Sequence, residues 1–423
     1  MRGVGKRAVL IGVTAALSLA AGVLAADWPQ FLGPQRDGVA HDAKGLARAW
    51  LEAGPKHLWE TPVGPGYAGA AIFGDSVLLL DREDNARDVL RRIGLAGGKD
   101  VWRFPYDAPG RFDHNGGRST PATDGNLIFA ISPLGAIHAV RFADGSPVWQ
   151  ADLLKDWDAA QSQYGVATSP LLYGDWVIVM PWGKKAAVVA LDKATGKPVW
   201  TTPNPKGVVQ EYQSPVPMTL GGQEMILATG RQGYLIGVDA RTGKQLWEYT
   251  GFPKVGWHIA SPLVVGDGRI FLTGGYGAGC VMLKVERQGD TYSVSELFKN
   301  MSMGSTCAQP LLWDGYLYGN SYDTGGGLRC VTLDGKVVWD SKKNHGPTFD
   351  MGTAFIADGL IYAINGTNGD ITMAEATPDG YKQLGRSPLL APPEPWGPMA
   401  FEDGKLIVRD SHKMVCLDLT VGK

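Results

Sequence analysis

The sequence predicts an all-β chain folded as an eight-bladed β-propeller of four-stranded antiparallel blades. Three observations predict it: a tryptophan-ended phrase that returns at a fixed spacing, a second phrase that returns in step with it, and a composition of many tight turns. The 423 residues include 58 Gly, 27 Pro and 14 Trp, and no stretch reads as a long amphipathic helix. Charged residues make up 19% and the formal net charge is −2, so nothing draws the chain toward nucleic acid or an anionic membrane.

The first phrase is "LDKATGKPVW" at 191–200 and "VDARTGKQLW" at 238–247. Its ending recurs as "GGKDVW" at Trp102, "DGSPVW" at Trp149, "TGKPVW" at Trp200, "TGKQLW" at Trp247 and "DGKVVW" at Trp339, a period of about 47 residues. Two periods separate Trp247 from Trp339, and "DTYSVSELF", ending at Phe298, fits as the degenerate copy between them. Tryptophans placed with this periodicity (Trp59, Trp102, Trp149, Trp200, Trp247 and Trp339) read as wedges between blades rather than as a cofactor box.

The second phrase is a small residue, often Ser-Pro, then an apolar strand, a Gly/Asp turn and another apolar strand. Its eight copies are "GAAIFGDSVLLL" (69–80), "STPATDGNLIFAI" (119–131), "TSPLLYGDWVIVM" (168–180), "QSPVPMTLGGQEMILA" (213–228), "ASPLVVGDGRIFL" (260–272), "AQPLLWDGYLYG" (308–319), "GTAFIADGLIYAI" (352–364) and "GPMAFEDGKLIV" (397–408). Short apolar runs joined by such turns are hairpins. Each period then supplies four strands, which is one propeller blade. A sandwich, the alternative all-β fold, does not need eight copies in phase.

The two ends of the chain fit together. "CLDLTVGK" (416–423) stops where a fourth strand is due, and "HLWE" (57–60) is a fourth strand without a first three, so Leu58 and Trp59 are expected to complete the last blade and close the ring. Residues 26–56 precede the propeller of 57–423; the Pro, Gly and aromatic residues of "WPQFLGPQRDG" lead us to expect an extension packed on it. At the very start, Arg2, Lys6 and Arg7, an apolar run to Leu24 and a small-residue "VLA" describe a signal peptide over 1–25, cleaved after Ala25, with an uncleaved anchor as the alternative. No cysteine follows the junction to take a lipid. The mature chain is expected to be periplasmic or secreted and monomeric.

Four cysteines, Cys280, Cys307, Cys330 and Cys416, form no CxxC and no adjacent pair, so the sequence leaves their pairing open. Cys280 and Cys330 read as small buried packing positions. "GPGYAG" (64–69) matches GxGxxG, but strands follow it, and no helix N-terminus is there to hold a phosphate. "DREDNARD" (81–88) lacks the glycine of a calcium loop and reads as a solvated turn.

Aligning the eight copies on the residue before the proline places Tyr67, Gly117, Val166, Glu211, His258, Thr306, Asp350 and Glu394 at equivalent positions near the mouth of the central channel. Three acids, a histidine and neighbouring aromatic residues, with His114, Arg118, Tyr164, Tyr212, Trp257 and Trp396 among them, predict a mouth able to take a planar or sugar-like ligand. The candidate ligand-binding set is Tyr67, Arg118, Glu211, Tyr212, His258, Asp350, Glu394 and Trp396, with no catalytic residue assigned.

Eight blades of this length ending in "TGKxxW", together with "DWPQFLGPQRDGV" (27–39), "VVALDKATGKPVW" (188–200) and "GGYGAGCVMLK" (274–284), resemble the exported PQQ-like, or quinoprotein-type, propellers, close to those of the BamB type. The resemblance covers nearly the whole mature chain. It implies either a binding or scaffold protein, with protein partners in the cell envelope or a small ligand at the mouth, or a PQQ-dependent dehydrogenase of an alcohol or sugar. The second implies PQQ with calcium, oxygen ligands from Glu211, Asp350 and Glu394, and Trp257 or Trp396 as platform. It also implies two adjacent bonded cysteines, which this chain lacks. The sequence reading is therefore a binding protein, without a firm cofactor or metal.

Overall fold

The computed structural model describes residues 27–254 and 256–422; the signal peptide expected over 1–25 lies outside them. Eight antiparallel sheets follow one another along the chain, spanning 71–107, 122–152, 171–202, 216–249, 263–300, 311–340, 354–388 and 400–418, here blades 1 to 8. Blade 8 takes its outermost strand from the start of the chain: Lys56–Pro62 runs antiparallel to Lys413–Asp418, with Glu60 opposite Val415 and Trp59 opposite Cys416. Blade 7 departs from the expected four strands, because Val39–Ala40 adds a short parallel strand to Ala354–Ala357.

Both repeated phrases have a physical explanation in the contacts between blades. In the first, Gly196 holds φ +70°, and a Cβ there would lie 2.6 Å from the ring of Trp149 in the preceding blade. Glycine is required because the neighbour's ring occupies the space of a side chain. The same ring-over-glycine contact recurs as Trp59 on Gly98, Trp102 on Gly145, Trp200 on Gly243 and, where the phrase is degenerate, Phe298 on Gly335. The indole N–H groups of Trp59, Trp102, Trp149 and Trp339 donate to carbonyls of the next blade: Leu95, Phe142, Lys193 and Thr377. Trp247 packs instead among Leu272, Val281 and Leu283 of blade 5.

In the second phrase the serine before proline is a stitch. The Thr120 amide donates to Ser169 Oγ at 3.0 Å, the Ser169 amide to Ser214 Oγ and the Ser214 amide to Ser261 Oγ, both at 2.9 Å. The Ser261 amide donates to Gln309 Oε1. Each buried amide thus finds its acceptor on the next blade, and the proline that follows has no N–H to satisfy.

The hydrophobic core lies between blades. Phe129, Ile131, Val177 and Val179 join blades 2 and 3; Ile178, Ala190, Ile226 and Ile236 join blades 3 and 4. One larger cluster joins blades 7, 8 and 1 and takes in Trp28, Leu46 and Trp50 from the segment before the repeats. Cys280 and Cys330 are fully buried in these layers, and all four cysteines are free thiols.

His138 of blade 2 illustrates the energetics of such an interface. It is 7% exposed, with its ring 4.0 Å from that of Tyr106 and 5.4 Å from that of Phe104 on blade 1. Burial holds its pKa at about 4. Between pH 6.5 and 4 the unfolded chain therefore binds a proton that the folded chain refuses, and stability falls with falling pH by up to about 3 kcal/mol. Glu211 and Glu402, which burial raises to about 7, act in the opposite direction as pH falls from 7. The difference between wild type and His138→Phe isolates the histidine: in denaturant melts the wild type should lose about 2–3 kcal/mol relative to the variant from pH 7 to pH 4. Parallel pH curves would refute this assignment.

Candidate functional site

The segment before the repeats shapes the channel. The Trp28 carbonyl accepts from the Ile72 amide of blade 1, the Pro29 carbonyl from Thr123 of blade 2, and the Gly38 carbonyl from Ile356 of blade 7. Arg36 donates to the carbonyl of Pro170 at 3.0 Å and of Ser169 at 3.4 Å on blade 3. Residues 27–40 therefore strap one end of the channel. Trp28, Phe31 and Leu32 form the floor of a cavity of about 340 Å³ that opens at the other end.

All eight blades contribute to the wall. Tyr67, Arg118, Tyr164, Tyr212, Trp257, Cys307, Met351 and Trp396 come from blades 1 to 8 in that order, joined by His114 and Tyr276. The rings form an unbroken arc. Trp396 to Tyr67 is 5.6 Å between centroids, Trp396 to His114 5.8 Å, His114 to Tyr164 5.6 Å, Tyr164 to Tyr212 5.7 Å and Tyr212 to Trp257 6.0 Å. At the rim, Glu394 Oε2 accepts the Tyr67 hydroxyl at 2.5 Å and lies 2.8 Å from His114 Nδ1. Burial, and then the Glu394 carboxylate, push the Tyr67 hydroxyl well up, so it stays the donor. His114, Tyr276 and Glu394 hold backbone φ of 52°, 60° and 64°. A non-glycine residue in that region is sustained only by its surroundings, and such positions gather at binding sites.

Four of the eight candidate residues, Tyr67, Arg118, Tyr212 and Trp396, line the cavity, and Glu394 braces its rim. Glu211, His258 and Asp350 do not line it. The reason is register. In blades 2 to 7 the residue facing the cavity is one later than the aligned position: Arg118, Ala167, Tyr212, Ile259, Cys307 and Met351. These positions lie in the bends and irregular segments before the inner strands, where adjacent side chains leave the backbone in different directions. Glu211 is buried with both carboxylate oxygens unpartnered, and burial raises its pKa to about 7. His258 Nε2 lies 3.0 Å from the Pro253 carbonyl, and its ring packs on Phe252.

Among the described residues, no three His, Cys, Asp or Glu side chains are placed to hold one metal ion. Glu211, Asp350 and Glu394 thus do not form the shared cation cage that the resemblance implied. Missed by the sequence reading were the floor residues Trp28, Phe31 and Leu32, and Tyr276, Cys307 and Met351 in the wall. No helix of the described residues is long and apolar enough to cross a membrane.

Comparison with known proteins agrees with this architecture. The chain is 30% identical over 154 residues to the quinoprotein alcohol dehydrogenase PedH of Pseudomonas putida, covering 34% of this chain and 23% of that one. It thus spans under a quarter of the length of that relative. In structure it is similar to BamB from Moraxella catarrhalis, with a TM-score of 0.58 at 16% identity, over 85% of this chain and 98% of that one. It is also similar to the quinohemoprotein alcohol dehydrogenase of Comamonas testosteroni, with a TM-score of 0.51 at 12% identity, over 94% and 81%. At such identities these structures speak for the fold alone. The model of the family described as outer membrane protein assembly factor BamB matches residues 86–341, more than half of the chain. An eight-bladed ring with this repeat along this much of its length belongs to that family of PQQ-like β-propellers.

Proposed function

We propose that this chain is an exported binding protein whose central cup holds a small, planar, largely apolar molecule, leaving the blade edges to protein partners in the envelope. The observation that carries this reading is the cup itself: closed below by Trp28, Phe31 and Leu32 and walled by an aromatic arc from six blades. Its volume of about 340 Å³ falls in the range of small-molecule sites. Flat faces and an apolar floor favour a ring over a flexible polar chain. The outermost strands expose Val101, Val199, Leu297 and Val337, apolar positions suited to a protein partner.

A PQQ-dependent dehydrogenase is the second reading, favoured by the similarity to PedH. The donor set does not fit a cation-held quinone: the three candidate carboxylates do not meet, and no two cysteines are adjacent.

Trp257 and Trp396 provide the test, since a bound ring should quench them. A titration of the protein with 2-naphthylmethanol and 2-naphthoate should give saturable one-to-one quenching, weakened about tenfold or more by Trp396→Ala through lost stacking. Absence of saturation with either ring would refute the cup as a small-molecule site. Calorimetry with PQQ separates the second reading: heat that requires calcium would favour the dehydrogenase.

A further inference from the structure

His114 and Glu394 stand on the segments that enter blades 2 and 8, and they meet beside Tyr67 of blade 1. Both hold a left-handed backbone, with φ of 52° and 64°, which a residue with a side chain keeps only where contacts sustain it. Those contacts are present on both sides of the pair. Glu394 Oε2 accepts the Tyr67 hydroxyl at 2.5 Å and lies 2.8 Å from His114 Nδ1. Behind them, Arg118 Nη2 donates to the carbonyls of Asp113, at 3.1 Å, and His114, and so clamps the turn that carries the imidazole. The ring is held by its side chain and by its backbone, in the wall of the cup.

A carboxylate can only accept, so the hydrogen between Glu394 and His114 belongs to Nδ1. In the neutral imidazole this leaves the lone pair on Nε2. Among the described residues His114 makes its side-chain hydrogen bonds through Nδ1 alone, so Nε2 has no protein partner. Other polar side chains of the wall are spent on the protein itself. Ser214 Oγ accepts from the Ser169 amide, and the Tyr212 hydroxyl from the Tyr164 amide at 3.3 Å. Gln309 bonds Ser261 through both ends of its amide, and the Thr353 hydroxyl donates to the Gly397 carbonyl. The hydroxyls of Tyr164 and Tyr276 can turn to give or to accept, whereas Nε2 in this tautomer only accepts.

We infer that His114 Nε2 is the polar recognition point of the cup and accepts the O–H of a phenol or an enol. The inference rests on the reading of the cup as a small-molecule site. Such a hydroxyl is more acidic than that of a saturated alcohol and donates more strongly, and it is carried on a flat unsaturated frame that the neighbouring rings can face. Glu394 acts through His114, as a positioning residue that fixes the tautomer and the direction of the ring.

The test is calorimetry on the full mature chain with 2-naphthol and 2-methoxynaphthalene at neutral pH, where neither is charged. They share one ring system, and only the naphthol can donate. Naphthol should bind about fivefold or more tighter. His114→Asn should bring the two affinities within about twofold of each other. Asparagine tolerates the left-handed backbone and can still donate to Glu394 from the place of Nδ1, but it puts nothing in the place of Nε2. Nitrogen NMR of the wild-type chain, with the His114 signals identified by their loss in His114→Asn, should show the hydrogen on Nδ1. Glu394→Gln should let the form with hydrogen on Nε2 appear, and lower the preference for naphthol with it. Equal affinities of the two rings for the wild-type protein, or tighter binding of the methyl ether, would overturn the inference without any variant and leave the cup reading standing. So would a hydrogen resident on Nε2 in the wild type, or an intact preference in a folded His114→Asn. If neither ring binds, the cup reading itself fails, and this inference with it.

Discussion

A chain beginning at residue 63 is expected to melt roughly 10 °C or more below the chain beginning at residue 27, and over a broader range. Blade 8 would lose the strand Lys56–Pro62, leaving the whole of Lys413–Asp418 as an unpaired edge. The ring would also lose the Trp59 wedge on Gly98, the indole bond to Leu95, and Trp28 and Trp50 from the largest core cluster. Truncating one buried tryptophan alone costs about 3–5 kcal/mol, and here three rings and a strand go together. Because each blade is stabilised by its two neighbours, an open ring unfolds from its free ends, which broadens the transition. A chain beginning at residue 41 separates the two contributions: it keeps the closing strand, loses the strap, and should melt between the other two. Scanning calorimetry of the three chains decides it, and coincident melting curves would refute ring closure as a source of stability.

Asp88→Ala is expected to destabilise the protein by about 3–5 kcal/mol. Arg82 and Asp88 are both completely buried on blade 1 and meet at 2.6 Å. Asp88 also accepts the Ser132 hydroxyl of blade 2 at 2.5 Å, and Arg82 donates to the carbonyls of Ala108, at 3.0 Å, and Gly110, at 2.5 Å. Burial raises the Asp88 pKa, and the Ser132 and Arg82 contacts oppose that. Removing the carboxylate leaves a guanidinium in a dry interior with carbonyl partners only. The double variant Arg82→Met/Asp88→Leu removes both charges and should be less destabilised than Asp88→Ala, since breaking one half of a buried pair is worse than replacing the pair. Urea melts of the single and double variants measure this directly. A cost below about 1 kcal/mol for Asp88→Ala would show that the site relaxes or admits water.

How far the site could be read from the chain depended on what each residue type is for. Tyr67, Arg118, Tyr212 and Trp396 line the cavity, as expected of residues that blade alignment brings with the starts of the inner strands to one mouth. Glu211, His258 and Asp350 each stand one residue before the side chain that lines the cavity, because alignment by turns carries no information on which residue of the irregular segment before an inner strand faces the axis. Trp28, Phe31 and Leu32 were missed because residues 27–40 lie outside the repeat, and no periodicity says where such a segment goes. A usable signal was there: "WPQFLGP" places two large aromatic residues in a turn-rich stretch, which calls for a surface to bury them.

By itself the sequence determined the ring: eight in-phase copies, the tryptophans that wedge between blades, and the pairing of the two chain ends. These are local patterns repeated until their sum has one geometry, so a linear reading recovers them. Tertiary structure alone decided that the channel is a blind cup and which side chains line it. Those facts arise from residues far apart in the chain, such as Trp28 with Phe355 and Tyr67 with Glu394. Their meeting depends on the path of one irregular strap and on a one-residue register, and neither leaves a period in the sequence.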